Sequence, residues 1–510
     1  MRTKYTIINM LVNVGGQMLN MLLQFISRMI FIRYLSAAYL GVNGLFTDVL
    51  GILNFAELGI GTAMIFSMYE PAANDDKDKI ARLMNLYKWL YRGVAACVLA
   101  VGLVLLPFLH FFIKDSSGIE HIRLIYMFYV LNSSCSYLLN YKNSIYLANQ
   151  KAYIKSAYGQ VTDCLRVIFQ IVALVLTRNF ILYLIIQFVM QFIPNIIISY
   201  KVDREFPYLK ECHELPEKEE RKGILRNIGA MSIHKAATVV VRNTDSLIMS
   251  SFIGLSAVGI YSNYKLVTNS INTFMAKLSS AMTGSIGNLG AIEDETRVYD
   301  VYRQLEFMFF ILYSYWAGGL FTLFNAFIGL FFGWQFCFPM TTVGIIVAEF
   351  WITGMRQINL LFREAKGLFW YDRYKAVVES IINLVVSLIL VQYYGIAGVI
   401  GGTIISSICT CVWIEPYILM RYGMRKEWKK RLKQYFAEYL CRVIIMFLLA
   451  AVSYGWVHYF PVDSVFRFIL TGVLYTVLFA VTMYGLYGRS TEFKALKERF
   501  INIARKGLKK

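Results

Sequence analysis

The sequence predicts an all-α polytopic membrane protein with about 14 transmembrane helices. The chain of 510 residues is 57% hydrophobic and only 16% charged, and its mean hydropathy is +0.52. Soluble globular chains contain about 25% charged and about 45–50% apolar residues. Apolar windows of about 20 residues, each long enough to cross the hydrocarbon core, recur from one end of the chain to the other. The predicted spans, numbered in chain order, have the approximate limits 6–32, 39–69, 83–113, 121–148, 152–177, 180–202, 226–252, 256–287, 302–333, 339–364, 371–393, 395–421, 435–457 and 465–487. Composition and pattern therefore exclude a soluble globular fold.

The first predicted span, residues 6–32, begins within the stretch "MRTKYTIINMLVNVGGQMLN", which has a basic flank. It has no small-residue cleavage site, and its apolar stretch is longer than the core of a signal peptide. We therefore expect a retained transmembrane helix here rather than a cleaved leader.

The loops between the predicted spans differ strongly in charge, within a net charge of +19. With the N-terminus in the cytoplasm, the inner loops contain most of the Lys and Arg residues, including the run "RYGMRKEWKKRLK" and the tail "RKGLKK". The outer loops contain little more than Arg33, Lys114 and Arg178. This asymmetry follows the positive-inside rule and predicts a multi-pass protein of the inner or plasma membrane with both termini in the cytoplasm. The excess charge indicates contact with anionic lipid rather than nucleic acid.

Two segments of the chain resemble each other. "SAAYLGVNGLFTDVLGILNF" joins the first two spans, and "GLSAVGIYSNYKLVTNSINTF" joins the seventh and eighth. Aligning Gly41 with Gly259 gives an offset of 218 residues, the difference between the two positions, and places Asn54 on Asn272. Transporters are commonly built from such repeats. We predict a six-helix lobe at 1–203, a cytoplasmic linker at 204–225, a pseudo-symmetric six-helix lobe at 226–421, and two additional helices with a basic tail at 422–510.

Polar side chains recur at helical spacing inside several predicted spans. In the first span Asn13, Gln17, Asn20, Gln24 and Arg28 lie within about 80° of arc. Similar stripes follow the second, fourth, fifth, seventh, eighth and tenth spans, whereas the thirteenth and fourteenth lack one at mid-depth, as expected of peripheral helices. The charged members of these stripes are the residues that we predict to line a substrate cavity: Arg28, Asp163, Arg166, Lys235, Arg242, Asp245, Lys265, Glu349 and Arg356.

Two interpretations of the stripes compete. Amides and hydroxyls can simply hold helices together. Charges cost about 2.5–3.5 kcal/mol each near the bilayer centre, so they must be paired or face water. Asp163 and Arg166 are three residues apart and can neutralise each other, as can the Arg242–Asp245 pair, whereas Arg28 has no acidic neighbour on its own helix. Seven helices with such stripes favour a water-filled cavity with a basic bias.

A basic cavity favours an anionic substrate. Lys and Arg bind phosphate, and Arg does so with two parallel hydrogen bonds. The many Asn, Gln, Ser, Thr and Tyr side chains suit sugar hydroxyls. A lipid-linked sugar phosphate would use both features.

Two stretches resemble a known family. "RNTDSLIMSSFIGLSAVGIYSNYKLV" resembles the seventh and eighth helices of polysaccharide flippases in the multidrug/oligosaccharidyl-lipid/polysaccharide exporter (MOP) superfamily, and "RYLSAAYLGVNGLF" resembles their N-terminal pattern. The resemblance extends along nearly the whole chain. It implies alternating access between two lobes and movement of polyprenyl-pyrophosphate-linked oligosaccharide from the inner to the outer leaflet. It further implies that Arg28 and the basic residues of the seventh and eighth helices hold the pyrophosphate; Arg28, Arg242 and Asp245 match family positions best.

Other functions fit the sequence less well. A multidrug exporter of the same superfamily usually has twelve spans and acidic sites for cationic drugs. A membrane enzyme of polysaccharide assembly is disfavoured because no P-loop, HExxH, GxSxG or DxD-type motif stands in a soluble segment. The eight cysteines have no zinc-type spacing.

We therefore expect a transporter that is not an enzyme and has no cofactor. Its expected partners are the lipid bilayer, the lipid-linked substrate and polysaccharide-assembly enzymes. Transport can be coupled to an H⁺ or Na⁺ gradient, for which Asp48, Glu57, Asp163 and Glu349 are candidate carriers, while a structural pair explains each of these residues at least as well.

Overall fold

The computed structural model describes residues 2–57, 59–114, 119–149, 151–212, 214–292 and 294–498. Within these ranges the chain is helical and contains no strand, so the predicted all-α class is confirmed. The α-helices are Arg2–Tyr34 (α1), Ala37–Leu53 (α2), Ile60–Ala73 (α3), Lys77–Leu105 (α4), Leu109–Phe112 (α5), Ile122–Asn140 (α6), Asn143–Ala148 (α7), Ala152–Thr177 (α8), Phe180–Glu205 (α9), Tyr208–Glu211 (α10), Lys218–Phe252 (α11), Leu255–Ile292 (α12), Glu295–Phe331 (α13), Met340–Met355 (α14), Gln357–Ala365 (α15), Lys375–Cys409 (α16), Cys411–Ile418 (α17), Trp428–Tyr459 (α18) and Val465–Tyr487 (α19). Single turns of other helix types lie at Asn54–Glu57, Leu106–Phe108, Trp334–Phe336, Leu368–Trp370 and Leu419–Gly423.

Eight helical segments of the described chain are long and apolar enough to cross a membrane. They are Lys77–Phe112, Ile154–Thr177, Phe180–Glu205, Glu295–Phe331, Met340–Ala365, Lys375–Gly423, Trp428–Tyr459 and Val465–Tyr487, and α2 is a shorter apolar helix. The protein is therefore a multi-span α-helical membrane protein, but this criterion does not confirm the predicted number of 14 spans.

The segment Lys375–Gly423 contains two antiparallel helices rather than one. Gly395 has φ 56° and ψ −129°, a backbone conformation that L side chains rarely adopt, and the chain reverses there. On either side of the reversal, Ser387 Oγ donates to the carbonyl of Val399 at 3.1 Å, and Asn383 Nδ2 donates to Thr403 Oγ1 at 2.9 Å. The break falls between the eleventh and twelfth predicted spans.

The second predicted span is interrupted. Its first part is α2, which passes into the turn Asn54–Glu57 before α3 begins at Ile60. Gly59, with φ 99°, separates the turn from α3. Glu57 at this break accepts a 2.6 Å hydrogen bond from the hydroxyl of Tyr91, and this bond connects the break to α4.

The chain forms two compact units, residues 1–262 and 263–510. The division falls within α12 and not in the loop at 204–225, because α11 packs along α2 and α3 of the first unit. The lobe limits derived from the sequence describe an internal repeat, and they stay a prediction.

The last two helices present apolar side chains outward. On α18 and α19 the most exposed large side chains include Phe447, Leu448, Phe466 and Val481. Such surfaces are expected where a helix faces lipid rather than water.

Candidate functional site

Arg28 is a partly buried cation on α1 in the first unit. Its Nη1 donates to Ser262 Oγ at 2.9 Å, and the phenol groups of Tyr129 and Tyr183 lie near the guanidinium. Among the described residues it forms no ion pair with a carboxylate. A guanidinium has five N–H donors, and a buried charge without a counterion is costly. The surroundings of Arg28 therefore suit an anionic ligand.

The two tyrosines near Arg28 are held by neighbouring helices. The hydroxyl of Tyr129 on α6 donates to Asn43 Oδ1 on α2. The ring of Tyr183 on α9 packs edge-on against Phe31 of α1, with ring centroids 5.4 Å apart. Neither tyrosine is in the set predicted from the sequence. The sequence feature that could have identified Tyr129 is its position three residues before Asn132, on the polar stripe of the fourth span.

Asp163 and Arg166 form an ion pair on α8. Arg166 Nη2 lies 3.1 Å from Asp163 Oδ1. The side chain of Arg166 is 25% exposed and that of Asp163 is 48% exposed. Arg166 also lies near Tyr183, so this pair borders the same part of the first unit as Arg28. Mutual neutralisation, one of the two interpretations of this pair, agrees with the geometry.

The predicted residues of α11 are only partly described. The side chains of Lys235 and Arg242 lie outside the described part of the structure, so their roles stay predictions. Asp245 is buried, and the adjacent Ser246 Oγ donates to Asp48 Oδ2 on α2. This stretch of α11 is therefore fastened to α2 by a hydrogen bond inside the first unit.

The other predicted residues belong to the second unit. Lys265 is partly buried on α12, and Glu349 on α14 accepts a 3.3 Å hydrogen bond from Thr353 Oγ1. Their predicted contact with substrate stays a prediction.

Arg356, the last predicted residue, is surrounded by carboxylates. It lies where α14 meets α15, and its Nε and Nη2 donate to the two oxygens of Glu415 at 3.2 and 2.9 Å. Its Nη1 lies 3.3 Å from Glu379 Oε1. Lys375 also pairs with Glu415. Because these acceptors occupy the guanidinium, the geometry favours a structural role for Arg356 over contact with an anionic substrate.

The ion pairs of Arg356 are part of a larger buried network. Asp372 accepts from Arg363 and lies 3.7 Å from Lys375 Nζ. The members are three cations and three carboxylates, so their formal charges cancel: Arg356, Arg363, Lys375, Asp372, Glu379 and Glu415. Sequence reasoning found only Arg356, because its partners lie on other helices.

The amide stripe of the fourth span joins helices. Asn132 Nδ2 donates to Gln191 Oε1 at 2.9 Å, and Asn143 Nδ2 donates to Asn195 Oδ1 at 3.3 Å, which connects α6 and α7 to α9. Ser133 Oγ donates to Asn54 Oδ1 at 2.9 Å, which connects α6 to the turn after α2. For these amides the helix-packing interpretation agrees with the structure.

The thirteenth span carries a polar stripe near its inner end, away from the mid-depth region where the sequence predicts none. The stripe on α18 is Arg431, Tyr435, Glu438 and Arg442, at spacings of four, three and four residues. Arg442 pairs with Glu306 on α13, and both are buried. The spacing was legible in the sequence, but it lies nearer the cytoplasmic end than the stripes of the other helices.

A cavity of about 320 Å³ lies beside this stripe, between α13, α18, α19 and the segment after α19. Arg303 lines it and pairs with Glu438 at 2.7 Å and Glu492 at 2.8 Å. Among the described residues, no group of three or more His, Cys, Asp or Glu side chains is placed to hold a metal ion.

The helical membrane fold of the described chain is shared with solved structures. The fold is similar to an inward-facing MATE family multidrug resistance transporter of the MOP superfamily (TM-score 0.61, 13% identity, 80% of this chain and 98% of that chain). It is similar to the lipid II flippase MurJ in an inward closed conformation (TM-score 0.61, 14% identity, 94% and 100%). It is also similar to a MOP superfamily transporter from Pyrococcus furiosus Vc1 (TM-score 0.51, 13% identity, 81% and 94%).

The family follows from the sequence itself. The profile of the family described as polysaccharide biosynthesis protein matches residues 7–283, more than half of the chain, and the chain belongs to this family. No curated protein sequence matches it significantly.

Proposed function

We propose that this protein flips a polyprenyl-pyrophosphate-linked oligosaccharide, the repeat unit of a polysaccharide, from the inner to the outer leaflet by alternating access. Family membership supports a role in polysaccharide biosynthesis. The similar fold of a protein described as a lipid II flippase supports movement of a lipid-linked substrate.

The observation that carries the proposal is the environment of Arg28. The guanidinium has hydroxyl groups as its described neighbours, Ser262, Tyr129 and Tyr183, and no described carboxylate pairs with it. A pyrophosphate would supply the missing negative charge and can accept two parallel hydrogen bonds from one guanidinium. Phenol and amide groups nearby suit sugar hydroxyls.

Complementation of a gene deletion tests this role. Arg28→Gln removes the charge and should lower transport at least about tenfold, the cost of one hydrogen bond to a charged group. Arg28→Lys keeps the charge but loses the two-pronged geometry, so transport should be intermediate. The measurement is the amount of lipid-linked oligosaccharide that remains on the inner leaflet, normalised to protein in the membrane.

The matched control is Arg33→Gln, which removes an exposed arginine from the same helix. It should transport as the wild type does. Wild-type transport by Arg28→Gln would end the claim that Arg28 meets the phosphate groups.

The alternative is a multidrug exporter, since one similar structure is a MATE family transporter. Cationic drugs require an acidic site, whereas the charge at Arg28 is positive. An efflux assay in a drug-sensitive strain separates the two: resistance conferred by this chain, with no accumulation of lipid-linked oligosaccharide in the deletion strain, would replace the flippase by an exporter.

The remaining features of the proposal rest on the sequence. Coupling to an H⁺ or Na⁺ gradient, contact with polysaccharide-assembly enzymes and cytoplasmic termini in the inner or plasma membrane are predictions. No catalytic step is proposed for the chain.

A further inference from the structure

The cavity between α13, α18 and α19 has charges of both signs on its wall. Its charged lining residues are Arg303, Glu438, Arg442 and Glu492, and its volume is about 320 Å³. Two cations and two carboxylates cancel, so the described lining has no net formal charge. Such a wall selects neither a simple anion nor a simple cation, and it suits a ligand that carries one charge of each sign.

The described ion pairs in this wall do not exhaust its donors and acceptors. Arg303 forms both of its described ion pairs through Nη2, which lies 2.7 Å from Glu438 Oε1 and 2.8 Å from Glu492 Oε1. A guanidinium has five N–H donors, and an ionised carboxylate has about four acceptor sites. The side chain of Arg303 is 25% exposed and that of Glu438 is 33% exposed. A phosphate can therefore accept hydrogen bonds from the remaining donors, and an ammonium group can donate to the carboxylates.

The cavity lies at the depth where lipid head groups are expected on the cytoplasmic side. Arg303 follows Glu295, the first residue of α13, by eight residues, a rise of about 12 Å. Glu492 follows Tyr487, the last residue of α19, by five residues. The positive-inside rule places the start of α13 and the end of α19 on the cytoplasmic side. A ligand of this cavity would therefore come from the inner leaflet.

Toward the bilayer centre from this cavity, the surfaces of α18 and α19 are apolar. Leu440 and Ile444 of α18 are exposed, as are Val481 and Tyr484 of α19. Cys441, which is also exposed, lines the cavity, so the cavity reaches the surface that these side chains form. Apolar helix surfaces of this kind are suited to acyl chains. The charged wall and the apolar surface together match an amphipathic ligand.

We infer that this cavity binds the head group of a zwitterionic phospholipid with a primary ammonium group, phosphatidylethanolamine, from the inner leaflet. The phosphate accepts hydrogen bonds from Arg303, and the ammonium group donates to Glu438 and Glu492. The acyl chains lie along α18 and α19. Phosphatidylcholine carries the same charges, but its quaternary ammonium has no N–H to donate, so it should bind less tightly. The inference goes beyond the proposed function and does not depend on it.

Native mass spectrometry of the full chain in detergent tests the site. The protein is titrated separately with phosphatidylethanolamine, phosphatidylcholine and phosphatidylglycerol that have the same acyl chains, and the dissociation constant of the first bound lipid is measured. The constant for phosphatidylethanolamine should be at least about tenfold lower than that for phosphatidylcholine, the effect of one hydrogen bond to a charged group. Phosphatidylglycerol, which lacks the ammonium group, should also bind less tightly than phosphatidylethanolamine.

Variants of the wall separate the two halves of the head group. Arg303→Gln removes the phosphate donor and should raise the dissociation constant of phosphatidylethanolamine about tenfold. Glu492→Gln should reduce the preference for phosphatidylethanolamine over phosphatidylcholine. The controls are Arg297→Gln on α13 and Glu498→Gln in the segment after α19, both at exposed positions. They should bind as the wild type does.

Cys441 reports occupation of the cavity in a bilayer. In a chain whose other cysteines are replaced, a maleimide should modify Cys441 more slowly in nanodiscs of phosphatidylethanolamine and phosphatidylcholine than in nanodiscs of phosphatidylcholine alone. The head group in the cavity would shield the thiol.

Equal dissociation constants for phosphatidylethanolamine and phosphatidylcholine in the wild type overturn the assignment, and this result needs no variant to fold. Tighter binding of phosphatidylglycerol overturns it as well, because it would indicate only a basic surface. Displacement of phosphatidylethanolamine by an equal amount of polyprenyl phosphate would give the cavity to the carrier lipid instead. None of these experiments measures flipping, so the site can fail while the flippase assay with Arg28 variants succeeds, and the reverse.

Discussion

At the scale of the residue, Arg28 and Arg356 show that one sequence pattern covers two different situations. Both are arginines on polar stripes of predicted spans. In the structure Arg356 is held by Glu415 and Glu379, whereas Arg28 has neutral described neighbours. A buried ion pair that loses one partner leaves an uncompensated charge, which costs about 3–5 kcal/mol. A buried cation that gains its counterion only when a ligand binds already bears that cost in the unliganded protein.

The two arginines should therefore respond oppositely to neutralisation. Arg356→Gln leaves Glu415 and Glu379 short of a cation and should destabilise the folded protein by about 3–5 kcal/mol. Arg28→Gln should leave stability unchanged or raise it while transport falls. Thermal unfolding in detergent measures the stability of both variants, with Arg33→Gln as the exposed control. Equal destabilisation by Arg28→Gln would indicate that Arg28 is also a structural ion.

At the scale of the element, α18 is a peripheral helix with a charged attachment. Its outward face carries Phe447 and Leu448, as a lipid-facing helix should. Its inner end is fixed to α13 by Arg442 and Glu306, and Arg442 also lies 4.8 Å from the ring centroid of Phe310. The attachment shows that the added helices are part of the second unit and not loosely held beside it.

A double-mutant cycle tests this attachment. Arg442→Met or Glu306→Leu alone leaves a buried charge and should cost about 3–5 kcal/mol, whereas the double variant should recover much of that loss. Unfolding in denaturant gives the coupling free energy, which we expect to be at least about 3 kcal/mol, because the double variant should lose no more stability than either single variant. Lys433→Met, an exposed position on the same helix, is the control. Additive losses in the double variant would show that the pair does not attach α18.

At the scale of the whole molecule, orientation in the membrane follows from the positions of Lys and Arg. The basic loops and the basic tail alternate with loops that have few charges, and this predicts which side each loop faces. The segment at 204–225 is the longest predicted inner loop, and Cys212 lies in it. Cys337 follows the turn Trp334–Phe336 between α13 and α14, on the predicted outer side.

Thiol labelling on intact cells checks the orientation. A membrane-impermeant maleimide should leave Cys212 unmodified until the cells are permeabilised. Cys337 should react in intact cells, but slowly, because it is partly buried and its Sγ lies 3.3 Å from the carbonyl of Asn325. Loss of labelling in the Cys212→Ser or Cys337→Ser variant shows which cysteine has reacted. Modification of Cys212 in intact cells would reverse the predicted orientation.

The sequence by itself determined the membrane class, the helical fold and the family resemblance. Hydropathy and helical periodicity are sums over neighbouring residues, so they can be read along the chain without knowing which helices meet. The alignment of Gly41 with Gly259 is of the same kind, and the structure adds that the backbones at these two positions are in contact within the first unit.

Only the tertiary structure decided which charges are paired and where the compact units divide. Arg356 finds its carboxylate at Glu415, 59 residues away, and Arg28 finds Ser262, 234 residues away. Helical spacing says which side chains share a face, but a hydrogen bond or ion pair depends on distances of a few ångströms between helices far apart in sequence. For the same reason α11, which begins the predicted second repeat, belongs by its contacts to the first unit.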